Sequence, residues 1–188
     1  MMTLDTLRDA LPDYARDLKL NLGSVLSPQG APGLTERQIW AVALGAAEAS
    51  PNPVFSEAIG ALAKEHLDDA GQAGARAAAA IMGMNNIYYR FLHLVEDPEY
   101  GRMPARLRMS VIGNPGMEKA EFELICLAVS AINGCGSCVV SHERQLRQHG
   151  FSREAVQSAV RIAATVHAVA RVLRNLGRGA ADKQAHAA

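Results

Sequence analysis

The longest uncharged stretch of this chain, Leu124 to Ser141, is 18 residues long and carries Asn133-Gly134-Cys135-Gly136-Ser137 in its middle. A run of that length raises the question of a membrane span, which needs about 20 consecutive apolar residues. The Asn-Gly-Cys-Gly-Ser segment would break a spanning helix, because glycine and asparagine favour turns and helix ends. The run therefore reads as two helices meeting at a corner. One extends from about Lys119 to Asn133 and ends at Gly134; the other begins near Cys135 and ends at His149-Gly150. Phe122, Ile125, Cys126, Val129 and Ile132 form the apolar stripe of the first.

Helix is the expectation for the rest of the chain as well, which makes the fold class all-α. Alanine and leucine are abundant, aromatic residues make up 5%, and no Val/Ile/Thr alternation of period two is evident. Thr3 to Leu22 is amphipathic, with a break at Pro12, and a Gly/Pro loop follows from Gly23 to Gly33. Thr35 and Gln38 form a capping-box pair for a helix to about Ala49, stopped by Ser50-Pro51-Asn52-Pro53. The next helix spans about Val54 to Asp69. Ala77, Ala80, Ile81, Met84, Tyr88 and Phe91 mark a long buried helix from about Ala75, just after Gly74, to Val95. Asp97 to Pro104 reads as loop, Ala105 to Ile112 as a short helix or turn, and Asn114-Pro115-Gly116 as a turn. Phe151-Ser152 supplies a staple and an N-cap for the last helix, to about Asn175-Leu176-Gly177, with a frayed tail over 178–188.

A length of 188 residues suits one domain or two small halves, here about 1–104 and 105–177. Shifting the chain by 81 places Ile81 on Ile162, Arg90 on Arg171 and Leu92 on Leu173, and a shift of 83 places Leu44 on Leu127. Each half then reads as helix, helix, long closing helix. Ala-rich helices align with one another easily, so an internal duplication stays open on this signal.

Nineteen Lys plus Arg balance nineteen Asp plus Glu. A neutral chain has no overall electrostatic reason to bind nucleic acid or anionic lipid. Three cysteines are too few, and odd in number, for a secreted disulfide framework. Charges from Asp5 to Lys19 leave no apolar stretch for a signal peptide. The expectation is a soluble cytoplasmic protein, whose thiols then need a chemical rather than a structural explanation.

That chemistry centres on Cys135-Gly136-Ser137-Cys138-Val139-Val140-Ser141-His142-Glu143. A dithiol at this spacing can close a disulfide within one helical turn. At a helix N-terminus the unpaired backbone N–H groups and the macrodipole favour thiolate over thiol. A thiolate attacks a peroxide oxygen or a disulfide sulfur. Cys138 and His142 are four residues apart and share a helix face, so the imidazole can take the thiol proton. Glu123 sits on the preceding helix, off its apolar stripe. A hairpin through Asn133-Gly134 lets it reach His142 and orient the ring.

Blander readings stand beside this one. Cys135 and Cys138 with His142 and His149 can make a zinc site, or the thiols can be inert. Glu123 by itself reads as a solvated helix residue. Cys126 reads as core, and His167 as a core or interface histidine or, alternatively, as a residue lining the thiol pocket. Met82-Gly83-Met84-Asn85-Asn86 is either core with capping bonds or a polar group near the active site. His66, His93 and His186 carry no usable pattern.

Several segments together resemble the alkylhydroperoxidase D family, within the wider carboxymuconolactone decarboxylase-like group. They are Ala10-Leu11-Pro12-Asp13-Tyr14-Ala15-Arg16-Asp17, Ala80-Ile81-Met82-Gly83-Met84-Asn85-Asn86, Arg106-Leu107-Arg108-Met109, Asn114-Pro115-Gly116, and Phe122-Glu123-Leu124 through Ser130-Ala131-Ile132-Asn133-Gly134-Cys135 to Cys138-Val139-Val140-Ser141-His142-Glu143. The resemblance covers nearly the whole chain. It implies an all-helical fold of two similar halves with the redox site in the second, and a homotrimer. It implies reduction of alkyl hydroperoxides and re-reduction of an oxidised peroxiredoxin partner of the alkyl hydroperoxide reductase C type. Electrons would come from a dihydrolipoyl group on a carrier protein, a dihydrolipoamide succinyltransferase, recharged by dihydrolipoamide dehydrogenase and NADH. No bound cofactor or metal is implied.

By motif position, Cys138 matches the peroxidatic cysteine oxidised to sulfenic acid. Cys135 matches the proton donor that closes the disulfide, and Glu123 and His142 match the proton relay. Some members carry histidine between the cysteines where this chain has Ser137, which leaves Cys135 activation to the helix end. Three rival expectations remain: a lipoyl-to-peroxiredoxin disulfide reductase with little peroxidase activity of its own, a non-redox decarboxylase-type enzyme, and a helical binding module with inert cysteines.

Overall fold

Side-chain caps decide where most of the helices begin. In the computed structural model, which describes residues 3–185, all regular structure among those residues is helical. The Thr3 side chain caps α1 (Leu4–Asp9), and Pro12 separates it from a single tight turn (Asp13–Ala15) and α2 (Arg16–Val25). Thr35 and Gln38 exchange the two capping-box hydrogen bonds at the start of α3 (Glu36–Glu48), as the sequence implies. Asn52 caps α4 (Pro53–Ala63), whose first residue is a proline, the position where a missing N–H costs least. Asp68 accepts from the Gly71 N–H at 2.9 Å and opens α5 (Asp69–Leu94). Asp97 caps the short α6 (Pro98–Arg102), and α7 (Ser110–Gly113) precedes the turn at Asn114-Pro115-Gly116. The chain closes with α8 (Lys119–Ile132), α9 (Gly136–Gln148) and α10 (Arg153–Ala185).

Five expected helix bounds are corrected. Helix α4 ends at Ala63 rather than at Asp69, because a turn over 64–66 leads to the Asp68 cap of α5. Helix α2 continues past Leu22 through Gly23, because Leu22 and Val25 are both buried and hold the last turn on the core. Helix α5 begins before Gly71 and Gly74 rather than after them. The Asp68 cap overrides the glycines, and Gly74 leaves room for Met117, whose sulfur a Cβ there would overlap. Proline and the Asp97 cap make a helix where a loop is expected at Asp97 to Pro104. Helix α10 runs on to Ala185 past the expected end at Leu176-Gly177, and His186 lies outside the described residues.

Helix α5 also turns its other face inward. Its buried side carries Ala75, Ala78, Ala79, Met82, Asn85 and Asn86, while Ile87, Phe91 and Leu94 are exposed. The expected stripe through Met84, Tyr88 and Phe91 is only partly covered. Two amides are tolerated inside because the interior offers at least one of them partners, as described below.

Helices α3 and α8 form the centre, and most of their residues are buried. Each packs against the other and against both α5 and α10; α3 also carries α4, and α8 carries α9. This pairing scheme is unchanged when α3, α4 and α5 are exchanged with α8, α9 and α10. Polar contacts repeat it. Asn86 on α5 bonds Asn133 after α8 at 3.0 Å, and His167 on α10 bonds Ser50 after α3 at 3.1 Å. Asn52 caps α4 as Cys135 caps α9. The shift of 81 carries Asn86 to His167, and that of 83 carries Ser50 to Asn133 and Asn52 to Cys135. The two halves thus share one architecture.

At the α3–α8 crossing, Gly45 lies where any Cβ would overlap the Ile125 Cγ2, and Ile125 is fully buried. Gly83, in contrast, faces open space on α5. Gly45→Ala is expected to lower the unfolding free energy by about 1–3 kcal/mol through overpacking. Gly83→Ala is expected to raise it by about 0.5–1 kcal/mol through the helix preference of alanine. Urea midpoints of the two variants against wild type check both.

Burial, aided by the nearby Arg171 charge, pushes the His167 pKa below its ordinary value of 6.5. The folded protein then binds fewer protons than the unfolded chain once the pH approaches 6.5, so stability falls as the pH is lowered through that value. His167→Asn keeps a group able to bond Ser50 but cannot be protonated. Its urea midpoint should lose less than that of wild type between neutral pH and the mildly acidic range.

Candidate active site

Helix α8 ends in a left-handed turn at Gly134, whose φ is +68°. The Gly134 N–H donates to the Ala131 carbonyl at 3.2 Å and the Cys135 N–H to the Ser130 carbonyl at 3.1 Å. This pair of bonds satisfies two of the last carbonyls of α8 and turns the chain sharply. Cys135 is thereby delivered to the N-cap of α9, where its Sγ accepts from the Cys138 N–H at 3.4 Å. A sulfur in that position receives the field of the helix N-terminus, which favours thiolate.

Cys135 and Cys138 are joined as a disulfide, with Cα atoms 5.3 Å apart. Cys135 is fully buried, whereas Cys138 keeps 7% of its surface and lines a pocket of about 330 Å³. His142 lies one turn further along α9 and lines the same pocket. Its Nδ1 is 2.6 Å from the Glu123 Oε2, so an ionised Glu123 accepts the ring proton there and leaves Nε2 for proton exchange. The hairpin thus brings together the four residues singled out in the sequence. Glu123 is buried rather than solvated, since α8 is covered on nearly all sides.

The wall opposite the hairpin comes from α5 through Met82, Asn85 and Tyr89, with Met109 and Ile112 beside it. Behind the wall, the Asn86 Nδ2 donates to the Ser130 Oγ at 2.9 Å and its Oδ1 accepts from the Asn133 Nδ2 at 3.0 Å. The Arg90 Nη1 donates to the Asn133 carbonyl at 2.6 Å. The Met-Gly-Met-Asn-Asn segment is therefore polar support for the cysteine corner. Arg90 and Ser130 were not anticipated in that role; their spacing from Asn86 and Asn133 on their own helices is the signal that was there to read.

The remaining candidates lie elsewhere. Cys126 is buried in α8, and burial, together with the Glu123 charge, pushes its thiol well above the usual value, so it stays protonated. His167 bonds Ser50 and does not line the pocket. His66 stacks on Trp40 with ring centroids 5.0 Å apart. His149 is exposed at the end of α9, and among the described residues no group of three or more His, Cys, Asp or Glu side chains is placed to hold a metal. Ser137, which cannot replace a basic group, still faces the dithiol with its Oγ 3.6 Å from the Cys135 Sγ. No helix among the described residues is long and apolar enough to cross a membrane.

Residues 98–178 match the model of the Carboxymuconolactone decarboxylase family. The chain is 54% identical to a Rhodospirillum centenum protein named Alkyl hydroperoxide reductase AhpD, over 92% of this chain and 91% of that one. A Solibacter usitatus protein of the same name is 52% identical over 92% and 96% of the two chains. One from Gluconacetobacter diazotrophicus is 55% identical over 92% and 93%. With identity above one half along nearly all of both chains, this protein belongs to the alkyl hydroperoxide reductase AhpD family.

Proposed function

We propose that this protein is an antioxidant thiol peroxidase that reduces alkyl hydroperoxides through the Cys135–Cys138 dithiol. The observation that carries the reading is the unequal placement of the two sulfurs. Cys138 faces the pocket next to a His142–Glu123 pair, and Cys135 lies buried behind it at the helix N-cap. Such a pair has one thiol for the substrate and one for the resolving step. The names of the relatives support the same chemistry.

In the proposed cycle His142, held by Glu123, takes the Cys138 proton. The Cys138 thiolate attacks the terminal peroxide oxygen and the O–O bond breaks. The hydroxyl goes to sulfur as sulfenic acid, and the alkoxide takes the Cys135 proton to leave as alcohol. The Cys135 thiolate then attacks the Cys138 sulfur, forming the disulfide and expelling hydroxide, which takes the proton back from His142 as water. One hydroperoxide and two thiols give one alcohol, one water and one disulfide. The N-cap and the Ser137 hydroxyl favour the Cys135 thiolate in the resolving step.

Reduction of the disulfide needs two further thiols. A dihydrolipoyl group on a carrier protein, of the dihydrolipoamide succinyltransferase type, attacks at the pocket-facing Cys138 and leaves as the cyclic disulfide. Dihydrolipoamide dehydrogenase and NADH recharge the carrier. An oxidised peroxiredoxin is the second acceptor for the same dithiol. The exposed Ile87, Phe91 and Leu94 share one face of α5, and Tyr100 packs edge-on against Phe91, an apolar face that suits the proposed homotrimer. A cytoplasmic location suits a dithiol that must be kept reducible.

The test is NADH oxidation coupled through dihydrolipoamide dehydrogenase and lipoamide to an alkyl hydroperoxide. Wild type should turn over, Cys138→Ser should not, and Glu123→Gln should be slower by about ten- to a hundredfold, as expected for loss of an oriented proton carrier. Turnover undiminished in Cys138→Ser would overturn the reading. Turnover that starts only when a peroxiredoxin is added would replace it with the disulfide-reductase reading.

A further inference from the structure

Every polar side chain of the α5 wall has a protein partner except one. Asn86 is bonded to Ser130 and Asn133, and Arg90 to the Asn133 carbonyl. The Asn85 side chain, only 3% exposed, leaves its Oδ1 with no hydrogen-bond partner. Buried amide oxygens are rarely left so, because an unpaired one forfeits its hydration with nothing in return. Asn85 lines the pocket that Cys138 and His142 line from the other side. Of its companions on that wall, Met82, Met109 and Ile112 offer no strong hydrogen-bonding group, and the Tyr89 hydroxyl donates to the Met109 sulfur at 3.7 Å. The Asn85 Oδ1 is therefore the enclosed, unpaired acceptor of the α5 wall, while Ser137, Ser141 and Gln145 line the pocket from the side of the reactive sulfur.

The geometry points to Asn85 as the residue that binds the hydroperoxide, its Oδ1 accepting the O–H of the terminal oxygen. The inference rests on the peroxidase reading. An alkyl hydroperoxide has a single O–H donor, and it is on the oxygen that the Cys138 thiolate attacks. Holding that hydrogen presents the terminal oxygen to sulfur and turns the alkyl part toward Met82, Met109 and Ile112. The bond survives the reaction. The terminal oxygen keeps its hydrogen as it passes to Cys138, so the same Oδ1 accepts from the sulfenic acid. A neutral amide does this without a second negative charge, which would disfavour the thiolate.

Asn85→Leu removes the acceptor and keeps the branched shape. Three rates are measured on the reduced protein or its disulfide: oxidation of the dithiol by tert-butyl hydroperoxide in a single turnover, alkylation of Cys138 by iodoacetamide, and reduction of the disulfide by dihydrolipoamide. The first should fall by about tenfold or more, the worth of one well-placed hydrogen bond, while the other two stay within about twofold of wild type. Asn85→Ala gives the same comparison should Asn85→Leu not fold. Oxidation within about twofold of wild type, or alkylation slowed in the same proportion as oxidation, would overturn the assignment. A wild-type dithiol that the hydroperoxide does not oxidise would instead overturn the peroxidase reading, and the assignment with it.

Discussion

Everything at this site depends on how α8 stops. The left-handed Gly134 and its two backbone bonds end one helix and place Cys135 at the cap of the next within a single turn. A residue with a Cβ would pay for the positive φ, and a slower turn would separate Cys135 from the N-terminus that activates it. The turn is held from outside by Asn86 and Arg90, which bond Asn133 from the neighbouring helix α5. Helix α5 therefore does two jobs. It braces the corner with one set of polar groups and lines the pocket with the adjacent face.

The same corner occurs a second time without the chemistry. Ser50 stands where Asn133 stands in the other half, His167 where Asn86 does, and Asn52 takes the capping place of Cys135. The position matching Cys138 holds Phe55, which is buried in the core. The scaffold is thus separable from the reaction. Its polar brace and cap serve folding in both halves, and only in the second does the cap atom become sulfur. This also explains why Asn86 and His167 resemble functional residues in the sequence while each mainly holds a helix corner in place.

Much of this was legible from residue types and spacing. The corner at Asn133-Gly134, the cap at Thr35 and the shared face of Cys138 and His142 follow from short-range rules, because each is settled within a turn or two of chain; the reach of Glu123 to His142, 19 residues away, follows once that corner folds α9 back on α8. What failed depends on long-range packing. Gly71 and Gly74 look like helix stops, yet they sit inside α5, Gly74 giving way to Met117 from a distant loop. Periodicity points to the wrong face of α5 because its outward face is the more apolar one. A periodicity argument follows hydrophobicity, and here two interior amides were paired or aimed into a pocket while Ile87, Phe91 and Leu94 were left outside. The open Oδ1 of Asn85 is of the same kind: nothing in a sequence distinguishes it from the satisfied amide beside it.

The central claim is that the pocket-facing sulfur, and not its buried partner or the core thiol, receives the peroxide oxygen. The most direct measurement uses Cys135→Ser, in which the sulfenic acid cannot close to a disulfide. The variant is treated with one equivalent of an alkyl hydroperoxide, trapped with dimedone and mapped by peptide mass spectrometry. The account predicts a dimedone adduct on Cys138 alone. An adduct on Cys126, or an adduct on Cys135 when Cys138→Ser is treated in the same way, would contradict it.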